Sequence, residues 1–391
     1  MVAPGGSRGS AHARADAVSP VPLNILDLSP ISTGADASTA LRNTVELAQH
    51  AEQWGYKRFW IAEHHFVAVA SSSPALLVGQ IAAATERIRV GAAAVQLGRT
   101  TALAVVESFG MLDAFFPGRI DLGVGRSGQR RREAAKDKAS GPKPPRPKPA
   151  WRNVDGVAVP PPFDLTALMT SPLMKARGSL LHQPCSVVPD FADQVADIEA
   201  LINGTFRVDG HDIRAVPGEG ADLVPWIFGS SKGQSARVAG ARGLPFVASY
   251  HITPGTALDA ITVYRDAFTP SRHLREPYVV VSADVVVADD TATARHLASS
   301  YGHWVYSIRN GPGAIPYPDP DDCAPLTDEQ FAAVEDRLAT QFVGDPDEVA
   351  DRLDRLQRVA DADELVITSV THRHADRLRS HELIAMRWGL R

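Results

Sequence analysis

Short apolar runs alternate with longer amphipathic segments along most of this chain, starting at Pro22. This alternation is typical of parallel strands that are joined by crossover helices. Strands are predicted at residues 23–28, 58–62, 88–97, 120–124, 225–228, 246–250, 278–287 and 364–369. Because a predicted helix follows each strand, we expect an α/β fold of the (β/α)8 TIM-barrel type. An open doubly wound sheet is the alternative that the same strands allow.

The alternation fails between about residues 127 and 190, after the fourth predicted strand. Within this stretch, residues 129–150 carry eight Lys or Arg against two Asp or Glu, and prolines alternate with the basic residues. Such a segment has too few apolar side chains to offset the entropy of ordering, so we predict a long, exposed and mobile insertion. It could be a plain solvated loop, a docking arm for an acidic protein, or a lid that orders when ligand binds.

The remaining composition predicts a single domain over residues 21–391 and a flexible tail at residues 1–20. Of the 391 residues 44% are hydrophobic, yet no apolar stretch approaches the roughly 18 to 20 residues that cross a bilayer. The tail lacks the apolar core of a secretion signal, and Cys185 and Cys323 form no disulfide or zinc pattern. We therefore expect a cytoplasmic protein, and the net charge of −5 argues against nucleic-acid binding.

Two histidines follow the second predicted strand, in the sequence Glu63-His64-His65-Phe66. An imidazole changes protonation near neutral pH, so it suits proton transfer. Adjacent residues of a strand point to opposite faces, and the two rings should therefore not share one task. No HExxH or Cys/His pattern surrounds them, so we predict no metal site. A hydrogen-bonded structural histidine is the alternative.

Other polar residues also fall at the carboxyl ends of the predicted strands, where a TIM barrel has its active site. Together with the histidine pair they are Asp27, Ser29, Glu63, His64, His65, Gln96, Arg126, Ser230, Ser231, Tyr250 and His251. Since these residues follow several different strands, we expect the barrel to bring them to one end.

A phosphate site is predicted after the fourth and fifth strands. Gly229, Ser230 and Ser231 lie between a strand and a helix, with Ser235 one turn further on. Backbone amides and the helix dipole favour an anion there, although serine can also simply cap a helix. Arg126 could pair bidentately with the same phosphate. No GxGxxG opens the first helix and no Walker sequence is present, so a mononucleotide phosphate such as that of FMN fits better than a dinucleotide.

Several segments together resemble the luciferase-like monooxygenases, the family of bacterial luciferase. They are residues 59–66 (FWIAEHHF), 89–95 (RVGAAAV), 117–126 (PGRIDLGVGR), 228–231 (FGSS), 243–245 (GLP), 343–346 (VGDP) and 371–377 (THRHADR). The similarity covers most of residues 21–387, and the motifs are specific when they are taken together.

The resemblance implies a TIM barrel that binds reduced FMN and activates O2 as a flavin C4a-peroxide. It also implies a separate NAD(P)H-dependent flavin reductase as a partner, and a homodimer. The catalytic role falls to His64, and a cis peptide bond between Ala93 and Ala94 would lie beneath the flavin ring. The residues that the resemblance assigns to cofactor binding are Ala93, Ala94, Arg126, Gly229, Ser230, Ser231 and Ser235.

The substrate is less well defined, because the chain departs from luciferase near the flavin. Gly125 stands where luciferase has a cysteine, and Thr101 where it has a histidine, so light emission from a long-chain aldehyde is not implied. The candidates for a substrate pocket are Asp27, Ser29, His65, Phe66, Gln96, Tyr250, His251 and Trp304. The aromatic members predict a small apolar or heteroaromatic molecule.

Two other functions stay open at this point. The first is an F420-dependent oxidoreductase on the same barrel, which would transfer hydride and need no oxygen. The second is a flavin-binding protein without turnover. Reconstitution with each cofactor would separate them.

Overall fold

The computed structural model describes residues 21–126, 149–183, 186–310 and 313–390. The predicted tail at residues 1–20 lies outside the described residues, as does most of the basic, proline-rich part of the insertion. The strands are β1 (Leu23–Asp27), β2 (Arg58–Ile61), β3 (Arg89–Ala92), β4 (Val95–Gln96), β5 (Ile120–Gly125), β6 (Arg152–Val154), β7 (Val157–Val159), β8 (Arg207–Val208), β9 (His211–Asp212), β10 (Pro225–Gly229), β11 (Phe246–Ala248), β12 (Val279–Val287), β13 (Phe342–Gly344) and β14 (Glu364–Thr368).

Helices follow the barrel strands and fill the longer connections. They are α1 (Ala37–Trp54), α2 (Pro74–Ala84), α3 (Ala102–Phe115), α4 (Thr166–Met169), α5 (Pro172–Leu180), α6 (Phe191–Ile202), α7 (Gln234–Ala241), α8 (Pro254–Asp266), α9 (Thr291–Leu297), α10 (Tyr301–Asn310), α11 (Asp328–Thr340), α12 (Pro346–Ala360) and α13 (His374–Trp388). Helix α1 shows why their ends are well defined. The Asp36 carboxylate accepts from the Thr39 amide at its start, and Gly55 ends it at a left-handed φ of 88°.

The barrel is a closed parallel sheet. Its strands run in the order β1, β2, β3, β5, β10, β11, β12 and β14, and β14 pairs in parallel with β1. Because β5 also pairs in parallel with β10, no edge is left open in this ring. The predicted TIM barrel is therefore confirmed, and the open doubly wound sheet is excluded.

Three features differ from the predicted elements. The third predicted strand is interrupted, because a cis peptide bond joins Ala93 to Ala94 between β3 and β4. The pairs β6–β7 and β8–β9 form short antiparallel hairpins, and β13 pairs with the carboxyl half of β12. Helices α4 and α5 lie inside the predicted insertion, in its described part.

Two apolar layers hold the barrel together. The larger layer lies between strands and helices and includes Leu23 and Ile25 of β1, which are fully buried. A smaller cluster fills the barrel itself, where Trp60 and Trp226 meet edge to face with ring centroids 5.6 Å apart. Full burial of side chains of this kind contributes about 1.5–3 kcal/mol each, so both layers matter to stability.

Buried ion pairs close the amino-terminal end of the barrel. Arg58 donates to Glu364 at 2.7 Å and to Asp121 at 3.0 Å, and its guanidinium carbon lies 4.7 Å from the Trp226 ring centroid. All three charged residues are buried. We call this group, Arg58, Asp121 and Glu364, the barrel floor. In the described part of the chain, no helix combines the length and apolarity needed to cross a membrane.

Candidate active site

A cavity of about 340 Å³ lies at the carboxyl ends of the barrel strands. We call it the barrel cavity. Its wall contains most of the predicted site residues: His64, Ala93, Ala94, Gln96, Arg126, Gly229, Ser230, Ser231, Ser235, His251 and Trp304. The apolar residues Leu26, Leu28, Ala62 and Phe228 also line it. The barrel thus brings these residues to one site, as their positions after successive strands predict.

His64 enters the cavity because of the alternation along β2. Trp60 belongs to the cluster inside the barrel and so does Ala62, so the next inward position is His64. Its Nδ1 atom is buried and makes no hydrogen bond with the described residues. Burial, then the nearby charges of Arg99 and His65, lowers the pKa of His64 to about 4. The imidazole is therefore neutral at physiological pH, and it can donate or accept one hydrogen bond without bringing a charge.

Glu63, one of the polar residues predicted at the strand ends, organises this corner of the cavity. Its carboxylate bonds His65 Nε2 at 2.9 Å and accepts from the Gln96 backbone amide at 2.8 Å. The Gln96 side-chain amide donates back to the Glu63 carbonyl oxygen. These bonds tie the segment after β2 to β4, and they hold the His65 ring against the Glu63 carboxylate. That the two histidines have separate tasks stays a prediction.

A cradle for an anion forms where β5 and β10 end. Among the described residues no side chain caps the start of helix α7 after Gly233, which leaves its first amides available to another acceptor. A Cβ atom on Gly233 would lie 2.6 Å from Arg126 Nη2, which shows how closely that guanidinium approaches the helix. Ser231 and Ser235 line the cavity beside it. Arg126 is 8% exposed, so its charge acts in a largely water-free place.

Threonines from the next connection hold the cradle loop in position. Thr253 Oγ1 donates to the Ser230 carbonyl oxygen at 2.8 Å, and Thr256 Oγ1 donates to the same oxygen. These two hydrogen bonds fix the loop after β10 from the side that faces away from the cavity. The cradle offers a guanidinium, hydroxyl groups and helix amides, and apolar residues lie across the barrel from it. This combination fits a phosphate ester that carries a flat apolar group.

A second polar group on the wall was missed at the sequence level. Asp284 of β12, Arg337 of α11 and Thr368 of β14 all line the barrel cavity. Arg337 Nη2 lies 3.8 Å from Asp284 Oδ2, and burial raises the pKa of this carboxyl. Burial, with the Arg337 charge second, lowers the pKa of His251 to about 3. Alternation from Val280 inside the barrel would have indicated that Asp284 points inward.

A second cavity, of about 220 Å³, lies next to the first, and we call it the side chamber. The two cavities share Leu28, His64, Trp304 and Ile308. The predicted residues His65 and Phe66 line the side chamber and not the barrel cavity. No group of three or more His, Cys, Asp or Glu side chains suited to a metal ion occurs among residues that the structure describes.

Asp27, Ser29 and Tyr250 line neither cavity, so their assignment to a substrate pocket is corrected. Asp27 shares the outward face of β1 with Ile25, where it pairs with Arg377 at 3.0 Å and accepts from Thr44. The hydroxyl of Ser29 is bonded to Thr44 as well. The hydroxyl of Tyr250 donates to the Ala158 carbonyl oxygen at 2.7 Å, outside the barrel.

Solved structures of similar fold include three that are informative here. Apo-MsnO8 aligns with a TM-score of 0.73 and 27% identity, covering 95% of this chain and 99% of that one. The FMN-bound oxygenating constituent of 3,6-diketocamphane monooxygenase, from the CAM plasmid of Pseudomonas putida, aligns at 0.60 with 17% identity, over 93% and 96%. An F420-dependent secondary alcohol dehydrogenase aligns at 0.57 with 13% identity, over 94% and 99%. The last two show the fold alone.

Sequence comparisons extend the likeness to the whole described barrel. The uncharacterized protein YvbT of Bacillus subtilis (strain 168) is 35% identical over 368 residues, which are 94% of this chain and 96% of that protein. A luciferase-like monooxygenase of Escherichia coli (strain K12) is 31% identical over 365 residues, which are 93% and 96%. The model of the luciferase-like monooxygenase family matches residues 21–146 and 198–362. With this match over most of its length, the chain belongs to the luciferase-like monooxygenase family.

Proposed function

We propose that this protein is an FMNH2- and O2-dependent monooxygenase that inserts one oxygen atom into a small organic substrate. The observation that carries the proposal is the pairing, within one barrel cavity, of the anion cradle at Arg126 with the neutral imidazole of His64. Family membership supports monooxygenase chemistry, and the anion cradle opposite apolar residues in the barrel cavity supports a mononucleotide such as FMN.

The reaction balances with reduced flavin as the donor of electrons. One oxygen atom of O2 enters the substrate, and the other leaves as water with the two hydrogens of FMNH2, which becomes FMN. No GxGxxG sequence opens the first helix after β1, where the fingerprint of a nicotinamide dinucleotide site would stand. We therefore propose that a separate NAD(P)H-dependent reductase supplies the FMNH2.

The residues of the chain have distinct tasks in this proposal. Arg126, Ser231 and the first amides of α7 would bind the flavin phosphate. The segment around Ala93 and Ala94 would hold the ring system. His64, neutral in its buried place, would orient a reacting group through a hydrogen bond, because a base whose pKa is about 4 accepts protons weakly at neutral pH.

The cofactor is tested by thermal shift. We expect FMN to raise the melting temperature and F420 to leave it unchanged, since a ligand that binds only the folded state stabilises it. Oxygen and FMNH2 consumption are then measured across aldehydes, ketones, thioethers and N-heterocycles. A shift with F420 alone would contradict the proposal in favour of hydride transfer. FMN binding without oxygenation of any panel member would favour a binding protein without turnover.

The role of His64 is tested by the His64→Ala variant. We expect the rate of substrate oxygenation to fall by about 100-fold or more, as for other lost proton-transfer or positioning groups. The affinity for FMN should stay within about threefold, because the anion cradle is untouched. The exposed His211→Ala serves as the matched control. Turnover equal to that of the control would remove His64 from the mechanism.

A further inference from the structure

The side chamber is a partly open, largely apolar space built in part by the insertion. Its inner wall comes from the segment after β2, with Phe66, Val67 and Val69. Its outer wall comes from helices α4 and α5 and the residue that follows them. The outer-wall residues are Leu168, Leu173, Met174 and Leu181. A space with this lining favours hydrocarbon groups, since removing them from water is what stabilises the complex.

The side chamber opens toward the proposed reacting centre. His64 and Trp304 belong to the walls of both cavities, together with Leu28 and Ile308. A molecule that lies in the side chamber therefore reaches the neutral imidazole with one end. A flavin in the barrel cavity would approach the same imidazole from the other side.

The charges on the chamber wall select against a cation. Arg99 and Arg177 lie on this wall, and no carboxylate does among its described residues. Arg99 Nη1 is 3.8 Å from Glu63 Oε1, while the Arg177 guanidinium carbon lies 5.8 Å from the ring centroid of Phe66. An ammonium group would have to give up its hydration next to two guanidinium groups, although Glu63 behind the wall offsets part of the Arg99 charge. Neutral and anionic molecules meet no such obstacle.

The volume sets the length of molecule that the chamber holds. A dry cavity of about 150 Å³ accommodates benzene, or roughly one non-hydrogen atom per 25 Å³. At that ratio, the 220 Å³ of the side chamber hold about nine non-hydrogen atoms. Longer molecules would extend beyond the chamber, where further carbon atoms gain less from burial.

We propose that the side chamber is the substrate subsite, that it takes uncharged or anionic apolar molecules, and that Met174 sets the accepted chain length. The identity of the reaction at His64 rests on the proposed function, whereas the binding preference of the chamber does not. Met174 is partly buried on α5, the helix that closes the outer wall, and its flexible side chain is the kind that adapts to a ligand.

The test is calorimetric titration with the straight-chain alkan-2-ones from butanone to decanone, with saturating FMN in the barrel cavity. Each added methylene should tighten binding about fourfold until the chamber is full, at about eight carbons. Met174→Ala removes three side-chain atoms and should move this limit about two to three carbons higher. Met174→Trp should move it lower. The neighbouring Lys175→Trp, exposed on the same helix and outside the chamber wall, is the control and should leave the limit unchanged.

The charge preference is tested by comparing 2-octanone with 2-aminooctane, which has the same number of non-hydrogen atoms. The ammonium compound should bind at least about tenfold more weakly, because a cation loses hydration beside two guanidinium groups. Equal affinities would overturn the charge argument. A length limit that is the same in wild type, Met174→Ala and Met174→Trp would overturn the assignment of the chamber.

The two proposals fail in different ways. If FMN does not bind, the proposed function fails, and the titrations are repeated without FMN. If the chain-length limit still differs between wild type and the Met174 variants, the side chamber is upheld as a ligand site. If FMN binds and supports oxygenation while the chain-length limit is the same in wild type and the Met174 variants, only the chamber proposal fails.

Discussion

Single residues decide the anion affinity of the barrel cavity, and Arg126 is the most direct case. We expect Arg126→Ala to weaken FMN binding by about 2 kcal/mol, or roughly 30-fold, as is usual for a lost hydrogen bond to a charged group. Arg126→Lys should recover only part of this, because an ammonium cannot pair bidentately with phosphate. Riboflavin, which lacks the phosphate, is the control ligand. Fluorescence titration measures the affinities for FMN and for riboflavin. An equal loss of affinity for riboflavin would contradict a phosphate-specific role.

Alternation along the strands explains which residues were placed correctly from the sequence. Leu26 points into the barrel, so Asp27 must point out toward α1 and α13, where it meets Thr44 and Arg377. The same rule sends Tyr250 outward and His251 inward. The sequence predicts that a residue lies at a strand end. That position alone does not show whether its side chain points into the barrel or outward. Applying the period of two to every strand would have excluded Asp27 and Tyr250 and included Asp284.

At the scale of elements, the start of α7 is the part of the site that a small change disrupts most clearly. Gly233→Ala adds a Cβ atom 2.6 Å from Arg126 Nη2 and 3.1 Å from Ser231 Oγ. We expect FMN affinity to fall by about tenfold although no charge or donor is removed, because the guanidinium must move. Lys232→Ala, which breaks an exposed ion pair with Asp259, is the control. Affinities equal within error for both variants would contradict the close approach.

The elements differ in how well their sequence predicts them. The long apolar run of β12 was predicted at residues 278–287, within one residue of its bounds, and the amphipathic period of α1 indicated a helix after β1. The hairpins β6–β7 and β8–β9 have strands of only two or three residues, too short for a period to show. The break between β3 and β4 was suggested only by the family resemblance, since its residues continue an apolar run.

At the scale of the whole molecule, buried neutral histidines make stability depend on pH. Burial, with Arg377 second, lowers the pKa of His381 to about 3, and the pKa values of His64, His251 and His374 are lowered as well. As pH falls below about 6.5, the unfolded chain takes up protons that the folded chain does not. The free energy of unfolding should therefore decrease with acidification, by about 1.4 kcal/mol per pH unit for each histidine.

The variant His381→Phe checks this relation, since it keeps a ring and removes the titrating group. Urea unfolding between about pH 6.5 and about pH 5 should show a shallower decline than in wild type. Absolute stability at neutral pH can change in either direction, so the slope is the quantity compared. Identical slopes would show that His381 does not titrate differently in the folded and unfolded states.

The barrel floor of Arg58, Asp121 and Glu364 fills the amino-terminal end of the barrel with buried ion pairs, so the barrel cavity faces the carboxyl-terminal end. In the proposed function, flavin and substrate would both reach His64 from that end. If the flavin lies deeper than the substrate, exchange of spent for fresh flavin would wait on product release. That departure would limit turnover wherever it is slower than the chemical step.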